Sequence, residues 1–113
     1  MAELTKIERI QQELTKMRRL YQNLPENKLK LLEPLIQNAA FMKATLEDLQ
    51  DIINEEGMTD EYKNGANQFG KKISANIQAY NSLAKNYTNV IDKLEKNLPA
   101  ETKGSKLSEL IDE

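Results

Sequence analysis

The sequence predicts an all-α protein: long antiparallel helices that form a helical hairpin or bundle with coiled-coil-like packing and assemble as an oligomer. Three observations predict this class. Apolar residues recur at spacings of three and four along three long segments, aromatic residues make up only 5%, and there are only four Gly and three Pro. A chain of 113 residues has room for one ordinary domain. We assign it to residues 1–98, followed by a flexible tail over 99–113.

The first helix is predicted at about 3–24. Its apolar residues keep to one stripe because they are spaced three or four apart. Pro25 ends the helix, since proline disfavours the helical conformation of the residue before it and has no N–H to donate. The stripe consists of Ile7, Ile10, Leu14, Met17, Tyr21 and Leu24.

The second helix is predicted at about 26–56, and Gly57 supplies its end. Pro34 lies inside the pattern, so we expect either a break between a short and a long helix or a kink near residue 34. The apolar stripe consists of Leu32, Leu35, Ala39, Met42, Leu46, Leu49 and Ile53.

The third helix, at about 72–98, has the most regular pattern in the chain. Its apolar positions alternate spacings of four and three, which favours left-handed supercoiled packing against a partner helix in the same or another chain. Residues 57–72 hold three of the four glycines and are predicted as a loop, with Tyr62 and Phe69 anchoring it to the core. The stripe consists of Ile73, Ile77, Tyr80, Ala84, Tyr87, Ile91, Leu94 and Leu98.

The tail over 99–113 contains one short amphipathic segment. Ser105 is suited to cap one or two helical turns that carry Leu107, Leu110 and Ile111. These three residues either pack on the chain's own bundle or dock as a helix in a groove of another protein. They are the candidate partner-binding residues.

The composition excludes most catalytic chemistry. With no Cys and no His, the chain has no cysteine nucleophile, no histidine base and no ordinary zinc site. No phosphate-binding glycine motif is present, and Glu47 and Asp51, four apart, are typical of an exposed helix face. We therefore expect no enzyme activity, cofactor or metal. No apolar run is long enough for a membrane span, so we expect a soluble, intracellular protein with no membrane contact.

Charge is distributed unevenly along the chain. The net charge is −2, but residues 1–24 carry five basic and three acidic residues, whereas residues 25–56 carry three and seven. Any nucleic-acid contact must therefore be local, and it would strengthen if several copies placed their basic segments around one axis. A solvated helix face, or cations placed near a helix C-terminus, accounts for the same residues. The candidate DNA-binding residues are Arg9, Lys16, Arg18, Arg19, Lys71 and Lys72.

The segments EYKNG and NQFG over 61–70, and YN and KNY within 80–87, are the most specific parts of a pattern that covers about residues 23–99. This pattern resembles a family of small proteins of phages and prophages of low-GC Gram-positive bacteria, which are commonly labelled small terminase subunits. The resemblance implies a non-enzymatic DNA-packaging adaptor in the cytoplasm of a bacterial host. Such an adaptor is a homo-oligomer that binds double-stranded DNA and the large terminase subunit, which carries the ATPase and nuclease.

A second hypothesis fits the same residues. The acidic second helix is suited to bind a basic surface of a host protein. In that case the chain is a phage-encoded protein-binding regulator, such as an inhibitor of a host defence system, and it does not bind DNA.

Overall fold

The computed structural model describes residues 3–57, 59–63 and 69–98. Within these ranges the predicted all-α class is confirmed. The order of elements is α1 (Lys6–Tyr21), α2 (Glu26–Glu56), β1 (Thr59–Lys63), β2 (Phe69–Ile73) and α3 (Ala75–Lys96). The tail over 99–113, with Leu107, Leu110 and Ile111, lies outside the described residues.

Helix α1 begins at a complete capping box. The Thr5 hydroxyl accepts from the Glu8 backbone N–H, and the Glu8 carboxylate accepts from the Thr5 N–H, both at 3.1 Å. These bonds also hold the pKa of Glu8 below its usual value, the backbone hydrogen bond from Thr5 being the larger cause. After Tyr21 a tight turn, in which the Leu24 N–H donates to the Tyr21 carbonyl, leads to Pro25 and the start of α2.

Helix α2 continues through Pro34 without interruption for 31 residues, about 46 Å at 1.5 Å per residue. The predicted break is therefore not seen, and a kink at this position stays a prediction. Pro34 is exposed, so its ring faces solvent and displaces no neighbouring helix. Gly57 ends α2 with a φ of +89°, which favours glycine, and its N–H donates to the Ile53 carbonyl at 2.8 Å.

A two-stranded antiparallel hairpin joins α2 to α3. The prediction of a loop over 57–72 is wrong for nine positions, 59–63 and 69–72, because β1 pairs with β2 from Thr59 opposite Ile73 to Lys63 opposite Phe69. Pairing satisfies backbone groups that a loop would leave to water. The structure does not describe the side chains of Tyr62 and Phe69, so their role as anchors to the core stays a prediction.

Helix α3 packs on α2 in the same chain. The regular apolar stripe of α3 therefore has a partner helix within the chain. Ser74 caps it by accepting from the Asn76 N–H at 3.1 Å. Ile91, Leu94 and Leu98 are buried, whereas Ile73, which was predicted in this helix, is paired in β2 instead and is 58% exposed. The stripe is therefore buried mainly toward the C-terminal end of the helix.

The fully buried core lies where the end of α1, the first half of α2 and the end of α3 meet; we call this region the apolar end. The Tyr21 hydroxyl donates to the Leu94 carbonyl at 2.6 Å and so joins α1 to α3. Burial raises the pKa of Tyr21 to about 12, with a smaller effect of the Glu95 charge, so its hydroxyl stays protonated at neutral pH. The core comprises Met17, Tyr21, Leu32, Ile36, Ala39, Ile91, Leu94 and Leu98.

Candidate interaction surfaces

Arg9 binds two carboxylates of α2. Its Nη1 lies 3.0 Å from Glu47 Oε1 and its Nη2 lies 2.6 Å from Asp48 Oδ1, while Nη1 also donates to the Ala44 carbonyl at 3.3 Å. The hydrogen bond to Asp48 is the main cause that raises the pKa of Arg9. The antiparallel packing of α1 on α2 brings these residues together across nearly forty positions. Arg9 therefore connects two helices instead of facing solvent alone.

Arg18 makes a second contact of the same kind near the apolar end. Its Nε lies 3.1 Å from Glu33 Oε1, and its Nη2 binds the same carboxylate. This hydrogen bonding is the main cause that lowers the pKa of Glu33, and Gln37 adds a smaller contribution. Arg18 is half exposed, so this pair contributes less to stability than its geometry suggests.

The most enclosed ion pair among the described side chains lies between these two. Glu13 Oε1 is 2.8 Å from Lys43 Nζ, and the two side chains are only 12% and 13% exposed. Lys16 Nζ approaches the same oxygen at 3.4 Å. Burial is also the main cause that raises the pKa of Tyr87 to about 12, with smaller effects of the charges of Glu13 and Glu47. We call the region joined by Arg9, Glu13, Lys43, Glu47 and Asp48 the ion-paired half.

These ion pairs involve several of the residues that were predicted to bind DNA. Arg9, Lys16 and Arg18 each have a carboxylate partner within the chain, whereas Arg19 is exposed and forms no ion pair with any described residue. In the hairpin, Lys71 is in register with Glu61 and Lys72 with Asp60. Five of the six candidates therefore lie beside an acidic residue. Their role in DNA binding stays a prediction.

A shallow surface depression of about 540 Å³ opens beside Arg9, between the start of α1 and the second half of α2. Four carboxylate residues and one arginine contribute to its wall, so its charge is mainly negative. Within the described parts of the chain, no group of acidic residues has the arrangement of a metal site. The lining residues are Glu3, Leu4, Arg9, Glu47, Asp48, Gln50 and Asp51.

Sequence reasoning missed one surface, the outer face of α2. Leu31, Phe41 and Ile52 are 75%, 54% and 37% exposed on this helix, and Lys6 Nζ lies 4.7 Å from the centre of the Phe41 ring. These residues belong to a second series of positions on α2 that are spaced three and four apart. The core was assigned to a different series, and the second one was therefore not recognised. The sequence contained a signal for this surface, because α2 has three apolar faces, whereas a simple surface helix has one.

The class defined by the described residues is an all-α protein in which a central helix packs on two antiparallel neighbours. No helix among the described residues has the length and apolar character to cross a membrane. Comparison with protein-family models, curated proteins and solved structures gives no match for this chain.

Proposed function

We propose that this chain is a non-enzymatic adaptor of phage DNA packaging, similar to a small terminase subunit, which acts as an oligomer and binds DNA and the large terminase subunit. The observation that carries the proposal is the outer face of α2, where Leu31, Phe41 and Ile52 stay exposed although the helix packs on α1 and α3. An exposed apolar row on a long helix is typical of a surface that binds another helix or protein. The resemblance to small terminase subunits supplies the particular role.

In this proposal, DNA contact falls chiefly on residues that the helix packing does not use. Arg19 is exposed and has no ion-pair partner among the described residues, and Lys71 and Lys72 are consecutive in β2. Arg9 stabilises the packing of α1 on α2, so we assign it a structural role. A single chain offers few phosphate contacts, so retention of DNA depends on several copies acting together.

The alternative, a protein-binding regulator that does not bind DNA, is favoured by a different observation. Carboxylates partner Arg9 and Arg18, while Asp51 and Glu55 in the second half of α2 are exposed and form no ion pair with described residues. The surface that this leaves for a partner is acidic. Such a surface fits a basic protein and repels a phosphate backbone.

Salt-dependent DNA retention separates the two functions. We expect the wild-type chain to bind duplex DNA at low salt and to lose affinity linearly on a log–log plot against salt concentration. The triple variant Arg19→Glu, Lys71→Glu, Lys72→Glu should lose this binding. A matched variant that reverses Lys28, Lys85 and Lys96, all exposed, controls for the change in net charge.

Two results would contradict the packaging role. One is absence of DNA binding by the wild-type chain even at low salt. The other is equal loss of binding in both triple variants, which would indicate a general charge effect. If instead a basic protein binds the wild-type chain and not Asp51→Lys with Glu55→Lys, the regulator is supported.

A further inference from the structure

The outer face of α2 carries a complete row of positions spaced alternately three and four apart. Leu31, Phe41 and Ile52 mark its two ends and its middle, and they are the exposed large apolar residues of this helix among the described residues. The row borders the face that packs on α1, because its Asp48 binds Arg9. The buried residues Leu32, Ala40 and Ala44 lie outside the row. The full row is Leu31, Pro34, Asn38, Phe41, Thr45, Asp48 and Ile52.

The charges of α2 are separated along the helix. Residues 26–43 contain three lysines and two glutamates, a net charge of +1, whereas residues 44–56 contain five carboxylates and no basic residue, a net charge of −5. Lys30 immediately precedes Leu31 at one end of the row, and Asp51 immediately precedes Ile52 at the other. Opposite charges therefore flank the two apolar ends of the row.

We propose that this row binds a second copy of the same chain, with the two α2 helices antiparallel and a two-fold axis near Phe41. Phe41 follows Leu31 by ten positions and precedes Ile52 by eleven. An axis through Phe41 therefore brings Leu31 close to the partner's Ile52 and Lys30 close to the partner's Asp51. Because the interface is two-fold symmetric, each of these contacts occurs twice.

Charge complementarity identifies a second copy as the occupant and fixes its direction. Glu47 and Asp48 are paired with Arg9, and Lys43 with Glu13, within the chain. In the antiparallel arrangement the remaining carboxylates Asp51 and Glu55 of each helix lie along the half of the other that carries Lys30. A parallel arrangement would place the two acidic halves side by side, which is unfavourable. Lys30 is available for this contact because its pair with Glu26 is long, at 3.6 Å, and highly exposed on both sides, so it holds the lysine weakly.

This inference rests on the oligomeric part of the proposed function. Its test measures molecular mass, whereas the test of the proposed function measures DNA retention. We expect light scattering with size exclusion to give twice the 13.0 kDa of one chain. Phe41→Asp should raise the dimer dissociation constant about a hundredfold or more, since it places two carboxylates at the axis. Ile7→Asp is the matched control, because Ile7 is 69% exposed on α1, outside the row, and it should leave the dimer intact.

A charge exchange tests the direction. Lys30→Glu and Asp51→Lys should each weaken the dimer about tenfold, and the double variant should restore it, because each altered residue meets its altered counterpart in the partner. Circular dichroism establishes that each variant is folded. A monomeric wild-type chain at high micromolar concentration, an unchanged dimer in Phe41→Asp, or failure of the double variant to restore assembly would each overturn the proposal.

Discussion

The apolar end and the ion-paired half hold the same two helices together by different forces. At the apolar end, Met17 and Tyr21 of α1 are 2% exposed and pack on α2 and α3. In the ion-paired half, α1 contacts α2 through Arg9 and Glu13, while its own Ile7 stays 69% exposed. Apolar burial tolerates salt and pH changes that weaken ion pairs. The two halves of α1 should therefore respond differently to the same treatment.

The largest effect is expected from a cavity at the apolar end. Leu94 is 1% exposed in the middle of the core, so Leu94→Ala removes well-packed methyl groups and should lower the free energy of unfolding by about 3 kcal/mol. Urea unfolding followed by circular dichroism measures this. Ile7→Ala, at a site that is mostly exposed, should cost less than about 0.5 kcal/mol. Similar losses in the two variants would contradict the location of the core.

A smaller but specific effect is expected in the ion-paired half. Glu13→Gln keeps the shape of the side chain but removes the negative charge that lies 2.8 Å from the enclosed ammonium of Lys43, which should cost about 2 kcal/mol. Glu55→Gln, on the exposed surface of α2, should be nearly neutral.

A high salt concentration should affect the ion-paired half more than the apolar end. Molar sodium chloride should lower the protection of backbone amides near Arg9 in hydrogen exchange more than the protection of those near Met17. Equal salt sensitivity along α1 would show that the ion pairs contribute little to holding its first half on α2.

The spacing of apolar residues was sufficient to predict three helices, because a buried helix face imposes a period that the sequence must follow. It did not identify which of several faces of α2 is buried. Ile36, Ala40 and Ala44 are buried although the predicted stripe contained none of them. A helix that packs on two neighbours needs two buried faces, and small residues allow one neighbour to approach closely.

The hairpin and the ion pairs were not predicted, for two different physical reasons. Thr59–Lys63 is rich in charged residues and lacks the apolar alternation of a half-buried strand, so only its pairing with Phe69–Ile73 defines it. Arg9 meets Asp48 only through the antiparallel register of two helices, which one segment read alone does not reveal. Basic residues that suggested a DNA contact are therefore, in part, connections within the fold.

The smallest predicted effect is a gain in stability on α2. The Thr45 hydroxyl oxygen is buried and has no hydrogen-bond partner among the described residues. Thr45→Val removes this polar atom while keeping the branched shape, so it should raise the free energy of unfolding by about 1 kcal/mol. Thr88→Val is the matched control, because the exposed Thr88 hydroxyl donates to the Ala84 carbonyl at 3.0 Å and has no such penalty. Since Thr45 also belongs to the outer row of α2, both variants are compared at one protein concentration. Equal changes in the two variants would show that helix propensity, and not an unsatisfied hydroxyl, determines the result.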